Sequence, residues 1–329
     1  MKFIKDVFYN ASVKLHALRK PKNKNLNMKS QKLKDIIFCV LVLLIPTIQF
    51  LVFYIGVHFN SLSLALKNYD INTGTYHFAG FENIAKAFES FSTETVMQKG
   101  LRNSLILYAV GLLVGSTLAI LFSYAIFKKI KGYSFLRIML FFPSIISPIV
   151  MVLLFRNFVG STLPFIIQKI TGAAEAPLGL LANSETQFGT LVFYTIWIGF
   201  GSSVLLYSGA MSGINEAVIE AAQIDGVSNT QELFHIVLPL VYPTFSTFIV
   251  VGVAAIFTNQ MNLYSFYGTK PISYDLYTIG YYLYRETSLI SGNVDYPRVA
   301  ALGVCISFFT IPLTLLTKWV LNKLGPKTE

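Results

Sequence analysis

The sequence predicts an all-α integral membrane protein with six transmembrane helices, and three observations carry that prediction. Of the 329 residues, 54% are hydrophobic and only 13% are charged, whereas soluble domains carry about 25% charged residues. Aromatic residues are frequent, with 28 Phe and 18 Tyr, which is typical of lipid-facing and interfacial positions. Six windows are apolar over roughly the 20 residues that a helix needs to cross a bilayer.

The six windows are short enough to be single spans and contain very little charge. They cover residues 36–57, 104–127, 138–158, 189–211, 241–264 and 299–320. Their only charged residues, Arg156 and Lys318, fall near window ends. Prolines such as Pro148 lie inside several windows, where neighbouring helices and hydroxyl side chains can satisfy the carbonyls that a proline leaves unbonded.

The distribution of Lys and Arg predicts that both termini lie in the cytoplasm. Residues 1–35 hold ten of the 26 basic residues, the connection 128–137 holds four and the C-terminal end holds three. Cytoplasmic segments are enriched in this way. We therefore expect a basic cytoplasmic tail over 1–35, a transmembrane domain over 36–323 and a cytoplasmic tail over 324–329. The net charge of +10 then indicates topology and contact with anionic membrane lipid, and no nucleic-acid partner is expected.

Several kinds of chemistry are missing from the sequence. The dipeptide Gly-Lys does not occur, so a P-loop for ATP is excluded. Cys39 and Cys305 fall inside apolar windows and are expected to be buried small hydrophobes. We expect no catalytic, cofactor or metal site. The window cores lack the ionisable groups that ion-coupled transporters keep at membrane depth, so any transport must draw its energy from elsewhere.

A polar stretch, EAAQIDGVSNTQELFHIVLP, separates the fourth and fifth windows. Asn215 is a predicted N-cap for a first short helix, and Gly226 is the residue expected to end it. Ser228 and Gln231 form a capping-box pattern for a second helix. The stretch contains acids and neither Lys nor Arg, although a helix lying on anionic lipid would need basic residues. We therefore expect it to show its acids and alanines to the cytoplasm and to dock against a protein.

The same stretch resembles the EAA loop of permease subunits in binding-protein-dependent ABC importers. The matching residues are Glu220, Ala221, Ala222, Asp225, Gly226, Ile236, Leu238 and Pro239. Four further elements are similar to that family: Phe78 to Asn83, the Asn103-Ser104 pair, Phe142-Pro143 with Ser147-Pro148, and Trp197-x-x-Phe200. The resemblance implies the type I importer fold and identifies residues 215–239 as a coupling loop.

The resemblance also implies partners and residue roles. The partners would be a second homologous permease in a heterodimer, two cytoplasmic ABC ATPases that hold ATP and Mg, and an extracytoplasmic solute-binding protein. The chain itself would bind no cofactor and catalyse no reaction in a bacterial cytoplasmic membrane. Glu220 would bond the ATPase cleft, Gly226 would allow the bend, Ala221 and Ala222 would pack closely, and Leu238-Pro239 would join the loop to span five.

The solute is predicted less directly than the partners. Gly268 to Pro271 departs from the Gly-Gly-Pro commonly found after span five, which disfavours the common disaccharide permeases. The basic tail and Tyr284-Arg285 are similar to the branch that imports fragments of polysaccharides. Candidate residues on the solute path are Thr258, Asn259, Gln260, Asn262, Tyr264, Trp197, Ser203 and Tyr207. For the first five, hydrogen bonding within the bundle or contact with water at the outer surface is an equal alternative. An importer of peptides, amino acids or osmolytes, a membrane enzyme acting on lipid-linked substrates, and a sensor or scaffold are the other hypotheses.

Overall fold

The computed structural model describes residues 24–70, 73–270, 272–289 and 296–326, with side chains from residue 31 onward. Over these ranges the chain consists of helices, one β-hairpin and connecting loops. In this part of the chain five helices are long and apolar enough to cross a membrane, and a bent helix pair makes a sixth when it is counted as one span. The predicted all-α membrane architecture is confirmed.

The first of two compact units covers Met1–Ser63 and is described by helix α1. This helix comprises Lys24–Gln49, a π-helical turn over Phe50–Gly56, and Val57–Ala65. Pro46 lies one turn before the π-helical turn, where such a change of pitch re-satisfies carbonyls that a proline leaves unbonded. Its apolar side chains from Leu33 to Leu62 are exposed. Cys39 is exposed with them, so its predicted burial is wrong within this chain.

The second unit covers Leu64–Glu329 and begins with a hairpin and a short helix. Strands β1 (Lys67–Asp70) and β2 (Thr75–Phe78) pair antiparallel, with Lys67 opposite Phe78. Gly74 closes the turn at φ +66° and donates its N–H to the Asp70 carbonyl over 2.8 Å. Helix α2, Glu82–Thr93, then packs on the last helix of the chain through Phe88 and Phe309, whose ring centroids are 5.7 Å apart.

Helix α3 is the second span and is longer than its predicted window. It comprises Thr95–Val110, a π-helical turn at Gly111–Ser116, and Thr117–Phe127. A tight connection with positive φ at Lys129 and Gly132 leads into helix α4, Tyr133–Ile145.

The third predicted span, 138–158, is wrong as a single helix. The chain leaves helical geometry at Ile146 and Ser147, whose ψ values are 143° and 131°. Pro148 disfavours helical geometry in the residue before it and starts a new helix, α5. That helix comprises Pro148–Asn157, a π-helical turn at Phe158–Thr162, and Leu163–Thr171. Arg156 consequently lies inside α5, and not near a span end as predicted.

Helix α6, Ser184–Ser212, contains the fourth predicted window without interruption. The Asn183 side chain accepts the Glu185 N–H over 3.0 Å and caps its start. Gly201 lies so close to α4 that a Cβ at this position would overlap the Leu140 carbonyl. The absence of a side chain therefore allows these two helices to approach each other closely.

The fifth predicted span, 241–264, is not one continuous helix. Helix α7 is Glu216–Ile224, helix α8 is Asn229–Leu240, and helix α9 is Tyr242–Ala254. The break between α8 and α9 bends the chain by 68° at Val241, between Pro239 and Pro243. Beyond α9 the chain is irregular, and Met261 and Asn262 have φ values of +52° and +55°. The polar run 258–262 thus ends the helix before its predicted limit.

The last part of the chain supplies three more helical elements and the final span. Helix α10 is Leu263–Tyr267, a 3-10 turn covers Tyr274–Leu276, and helix α11 is Ile279–Ser288. Helix α12, Tyr296–Leu324, contains the sixth predicted window. Cys305 is buried on it, as expected.

Candidate functional site

The coupling loop, residues 215–239, has the helix–turn–helix geometry that its sequence predicts. The Asn215 side chain accepts the Ala217 N–H over 3.0 Å and caps α7. Gly226 adopts φ +74° directly after that helix, a conformation that other residues adopt only with strain. Ser228 and Gln231 form the reciprocal capping box that starts α8. The loop is therefore two short helices joined by a turn that depends on glycine.

Helix α7 presents an acidic and apolar face on the surface of the chain. Glu216, Glu220 and Asp225 are exposed. Val218 and Ile224 are exposed by 43% and 86%, and Ala221 lies among them. Apolar side chains beside carboxylates on one short helix are typical of a surface that a protein partner covers.

Two residues of the coupling loop that were expected to be exposed are instead buried. Ala222 is 6% exposed and packs inward, so only Ala221 of the alanine pair is accessible. Glu232, one of the loop's four acids, is 1% exposed. It lies four residues before Ile236 on α8, so it shares the inward helical face. The prediction that the loop shows all its acids and alanines is wrong for these two positions.

An apolar cluster holds the coupling loop on the ends of the spans. Ile219 of α7 and Leu233 and Val237 of α8 are buried with Met211 at the end of α6. Partly buried residues packed against this cluster include Tyr124 and Phe127 of α3 as well as Ile236 and Leu238. Ile236 and Leu238 therefore face the ends of the spans, and Pro239 lies next to the bend into α9.

A polar contact adds to this attachment. The Lys128 ammonium lies 3.0 and 2.9 Å from the two carboxylate oxygens of Glu232. The Tyr124 hydroxyl lies 3.0 Å from Glu232 Oε1 and 3.0 Å from the Asn229 carbonyl oxygen. The sequence reasoning missed Glu232, although its place on the apolar stripe of α8 was a usable signal.

A cavity of about 200 Å³ lies between α3 and α6 and contains two of the predicted solute residues. Ser203 and Asn259 lie on its wall together with residues the sequence reasoning did not select. The additional lining residues are Leu107, Gly111, Gly115, Ser116, Thr195, Ile196, Gly199 and Phe200. Hydroxyls, an amide and three glycines make this wall uncharged and partly polar, which suits a hydroxyl-rich neutral group.

The segment carrying Asn259 is fixed by its own hydrogen bonds. The Asn259 side-chain oxygen accepts the Met261 N–H over 2.9 Å. The backbone carbonyl of Asn259 accepts the Thr278 hydroxyl over 2.8 Å. Gly280 lies so close to the Thr258 carbonyl that a Cβ there would be 2.5 Å from it. Thr278 and Gly280 thus position Asn259. This residue both makes hydrogen bonds within the bundle and lines the cavity, so both predicted alternatives apply to it.

The other predicted solute residues are not brought together. Thr258 faces a different cavity, beside Ser307, Thr310 and Thr314 of α12. The Tyr264 ring packs edge-to-face on Tyr284, with ring centroids 4.7 Å apart. Gln260 and Asn262 are half-buried in the irregular segment.

Of the two aromatic candidates on α6, Trp197 is half-buried and Tyr207 is buried. Trp197 stacks with Phe193 and lies against Phe155, at centroid distances of 6.4 and 6.1 Å. Tyr207 is 1% exposed and packs on Phe248. The structure therefore does not place the Tyr207 ring where a solute could reach it.

Polar residues that matched the family's shorter motifs hold loops in place. Asn83 donates to the Lys67 carbonyl over 2.7 Å. Asn103 donates to the carbonyls of Asp275 and Tyr277 over 2.7 and 2.8 Å, and Ser104 accepts the Ile279 N–H. Hydrogen bonds from Lys99 and Ser273 lower the pKa of Asp275 in the same segment. These residues fix the start of α3 against the segment before α11.

The long apolar helices make this a multi-pass cell-membrane protein. Residues 111–329 match the family of binding-protein-dependent transport system inner membrane components. That match covers more than half of the chain, and the chain belongs to this family.

Two curated relatives and one solved structure illustrate the similarity. The multiple sugar-binding transport system permease protein MsmF of Streptococcus mutans is 25% identical over 70% of this chain and 77% of its own length. The diacetylchitobiose uptake system permease protein NgcF of Streptomyces coelicolor is 29% identical over 55% of this chain and 54% of its own. A chain from the crystal structure of a bacterial ABC transporter involved in the import of the acidic polysaccharide alginate has a TM-score of 0.72. It is 21% identical, and the alignment covers 90% of this chain and all of that one.

Proposed function

We propose that the chain is the transmembrane subunit of an ATP-driven importer for an oligosaccharide, which an extracytoplasmic binding protein delivers. The observation that carries this proposal is the coupling loop, a capped helix pair with an exposed acidic and apolar face in a chain of the permease family. The names of the two relatives, one for multiple sugars and one for diacetylchitobiose, support a sugar as the solute.

The coupling loop would receive the cytoplasmic ATPase. Under the orientation predicted from Lys and Arg, α7 faces the cytoplasm, where Glu220 and Asp225 can pair with basic side chains of an ATPase cleft. Ile224, exposed by 86%, would fill the apolar part of that cleft. The ATP and Mg would be bound by two copies of the ATPase, so this chain would act without a nucleotide or catalytic group of its own.

A second permease would complete the path for the solute. The cavity between α3 and α6 is open and small, at about 200 Å³, whereas drug-sized ligands occupy pockets of roughly 300–1,000 Å³. An oligosaccharide would therefore need a second wall, which a homologous but different subunit would supply. Ser116, Thr195, Ser203 and Asn259 would offer hydrogen-bonding groups to sugar hydroxyls from this side.

A reconstituted complex tests the proposed solute class. We would co-express this chain with a candidate partner permease, ATPase and binding protein from the same organism and purify the complex into lipid nanodiscs. ATP hydrolysis would be measured with maltotriose, diacetylchitobiose and an alginate trisaccharide, and with glutamine and a dipeptide for comparison. We expect one oligosaccharide to stimulate hydrolysis in the presence of the binding protein. Stimulation by glutamine or the dipeptide, without any response to a sugar, would contradict the oligosaccharide assignment.

A further inference from the structure

Glu232 is an acid of the coupling loop that does not face a partner. It is 1% exposed, whereas Glu216, Glu220 and Asp225 of the same loop are exposed. Both of its carboxylate oxygens lie within 3.0 Å of the Lys128 ammonium, at the residue that follows α3. Its function must therefore be sought inside this chain.

The contacts of Glu232 join α8 to the end of α3. Tyr124, in the last turn of α3, approaches both Glu232 Oε1 and the Asn229 carbonyl oxygen with its hydroxyl, at 3.0 Å in each case. The same hydroxyl thus contacts both a side chain and a backbone carbonyl in the first turn of α8. Together with Lys128, it sets the position of α8 on α3 through defined donor and acceptor pairs.

Apolar packing alone would define the position of α8 on α3 less precisely than these polar contacts do. Leu233 and Val237 bury α8 against the neighbouring spans, but hydrophobic contact is not directional. Transferring a carboxylate from water into a buried site is costly, and removing one partner of a buried ion pair is strongly destabilising. A shift of α8 along α3 that separated Glu232 from Lys128 would leave two poorly solvated charges, so the ion pair resists sliding.

Helix α3 also lines the candidate solute cavity, through Leu107, Gly111, Gly115 and Ser116. Helix α3 thus contacts α8 through Tyr124 near its C-terminal end and lines the cavity near its middle. We propose that Glu232 is a positioning residue that clamps α8 to α3, so that displacement of the coupling loop by the ATPase is passed to the cavity wall. This inference rests on the proposed function and assigns the transmitting contact within it.

Two variants separate positioning from stability. Glu232→Gln leaves the Lys128 charge without its counter-ion. The double variant Lys128→Met with Glu232→Met replaces the pair by apolar side chains, an exchange that is often neutral or stabilising for a buried ion pair. The matched control is Glu82→Met with Lys86→Met, which removes an exposed 2.7 Å ion pair on α2.

The measurement is the number of ATP molecules hydrolysed per oligosaccharide taken up into proteoliposomes by the full complex. The solute is whichever of maltotriose, diacetylchitobiose or the alginate trisaccharide stimulates the wild type. We expect both Glu232 variants to raise this ratio several-fold while the complex still assembles, and the control to match the wild type. A wild-type ratio in an assembled double Met variant would overturn the proposal.

A charge-reversed pair decides the matter if the double Met variant does not assemble. Lys128→Glu with Glu232→Lys should then bring the ratio back toward the wild-type value, compared with Glu232→Lys alone. A ratio no better than that of the single variant would overturn the proposal. A wild-type complex that responds to none of the three sugars would instead contradict the proposed function itself.

Discussion

At the scale of single residues, two buried asparagine side chains hold irregular parts of this largely apolar chain by bonding backbone carbonyls. Asn103 is fully buried, and its amide bridges two carbonyls of the segment before α11. Asn83 does the same for the start of the hairpin. Buried carbonyls without a donor are costly, so these amides stabilise irregular loops beside the membrane spans.

Replacing Asn103 by Ala should destabilise the protein without altering its solute specificity. The change leaves the Asp275 and Tyr277 carbonyls without their donor, at a cost of about 1–3 kcal/mol for each unsatisfied group. We expect a lower thermal midpoint for the purified complex, measured by tryptophan fluorescence. The exposed Asn157 provides the control, and Asn157→Ala should keep the wild-type midpoint. Equal midpoints for both variants would contradict the assigned role of Asn103.

Gly226 is the second residue whose role follows from its backbone. Its φ of +74° costs other residues ~1–2 kcal/mol, so Gly226→Ala should distort the turn between α7 and α8. We expect slower uptake by the reconstituted complex. Gly213→Ala is the matched control, because Gly213 precedes the coupling loop with an ordinary φ of −82°. Unimpaired uptake in Gly226→Ala would show that the turn does not matter for coupling.

At the scale of elements, four of the six predicted windows fall within single helices and two are broken. Hydropathy located the windows because the bilayer requires long apolar helices. It did not locate the break before Pro148 or the early end of α9, because both segments remain apolar on average. The local signals were present, namely the Ser147-Pro148 pair and the polar run 258–262, but their effect depends on backbone partners elsewhere in the fold.

The coupling loop was predictable in outline and not in the direction of each side chain. Asn215, Gly226 and Ser228 act locally, so their caps and turn follow from sequence. Whether Glu232 and Ala222 face inward depends on where α8 and α7 pack on α3 and α6. The cavity between α3 and α6 likewise joins Ser203 to Asn259 only after the whole unit has folded.

The contact between α4 and α6 yields a prediction at this scale. Gly201→Ala would place a methyl group against the Leu140 carbonyl, and overpacking of this kind costs about 1–3 kcal/mol. The purified complex should unfold at a lower temperature in differential scanning calorimetry. Gly303→Ala, on α12, is the control, since a Cβ there meets no atom within 4 Å in this chain. A Gly201→Ala complex as stable as the control would disprove the close approach.

At the scale of the whole molecule, the orientation in the membrane is the prediction on which the others depend. In a background without Cys39 and Cys305, Gln223→Cys on α7 and Glu175→Cys between α5 and α6 place single thiols on opposite predicted sides. Both positions are exposed. A membrane-impermeant maleimide should label Glu175→Cys in intact cells and Gln223→Cys only after permeabilisation. The reverse pattern would place the coupling loop outside and remove the basis for ATPase docking.

The molecule as a whole is proposed to convert ATP hydrolysis on a partner into movement of a cavity wall, with α7 as the input. Family membership and the fold support this proposal, in which the exposed acids of α7 would supply the contact surface for the ATPase. Charge reversal on that surface is therefore more informative than removal of a solute contact, because it leaves the cavity intact.

The most direct measurement is ATP-dependent oligosaccharide uptake by proteoliposomes that contain the wild-type complex, Glu220→Lys or Glu175→Lys. Both variants make the same charge change at an exposed acid, and only Glu220 lies on α7. We predict uptake at the wild-type rate for Glu175→Lys and almost none for Glu220→Lys. Wild-type uptake by Glu220→Lys, with the ATPase still bound, would contradict the role of the coupling loop.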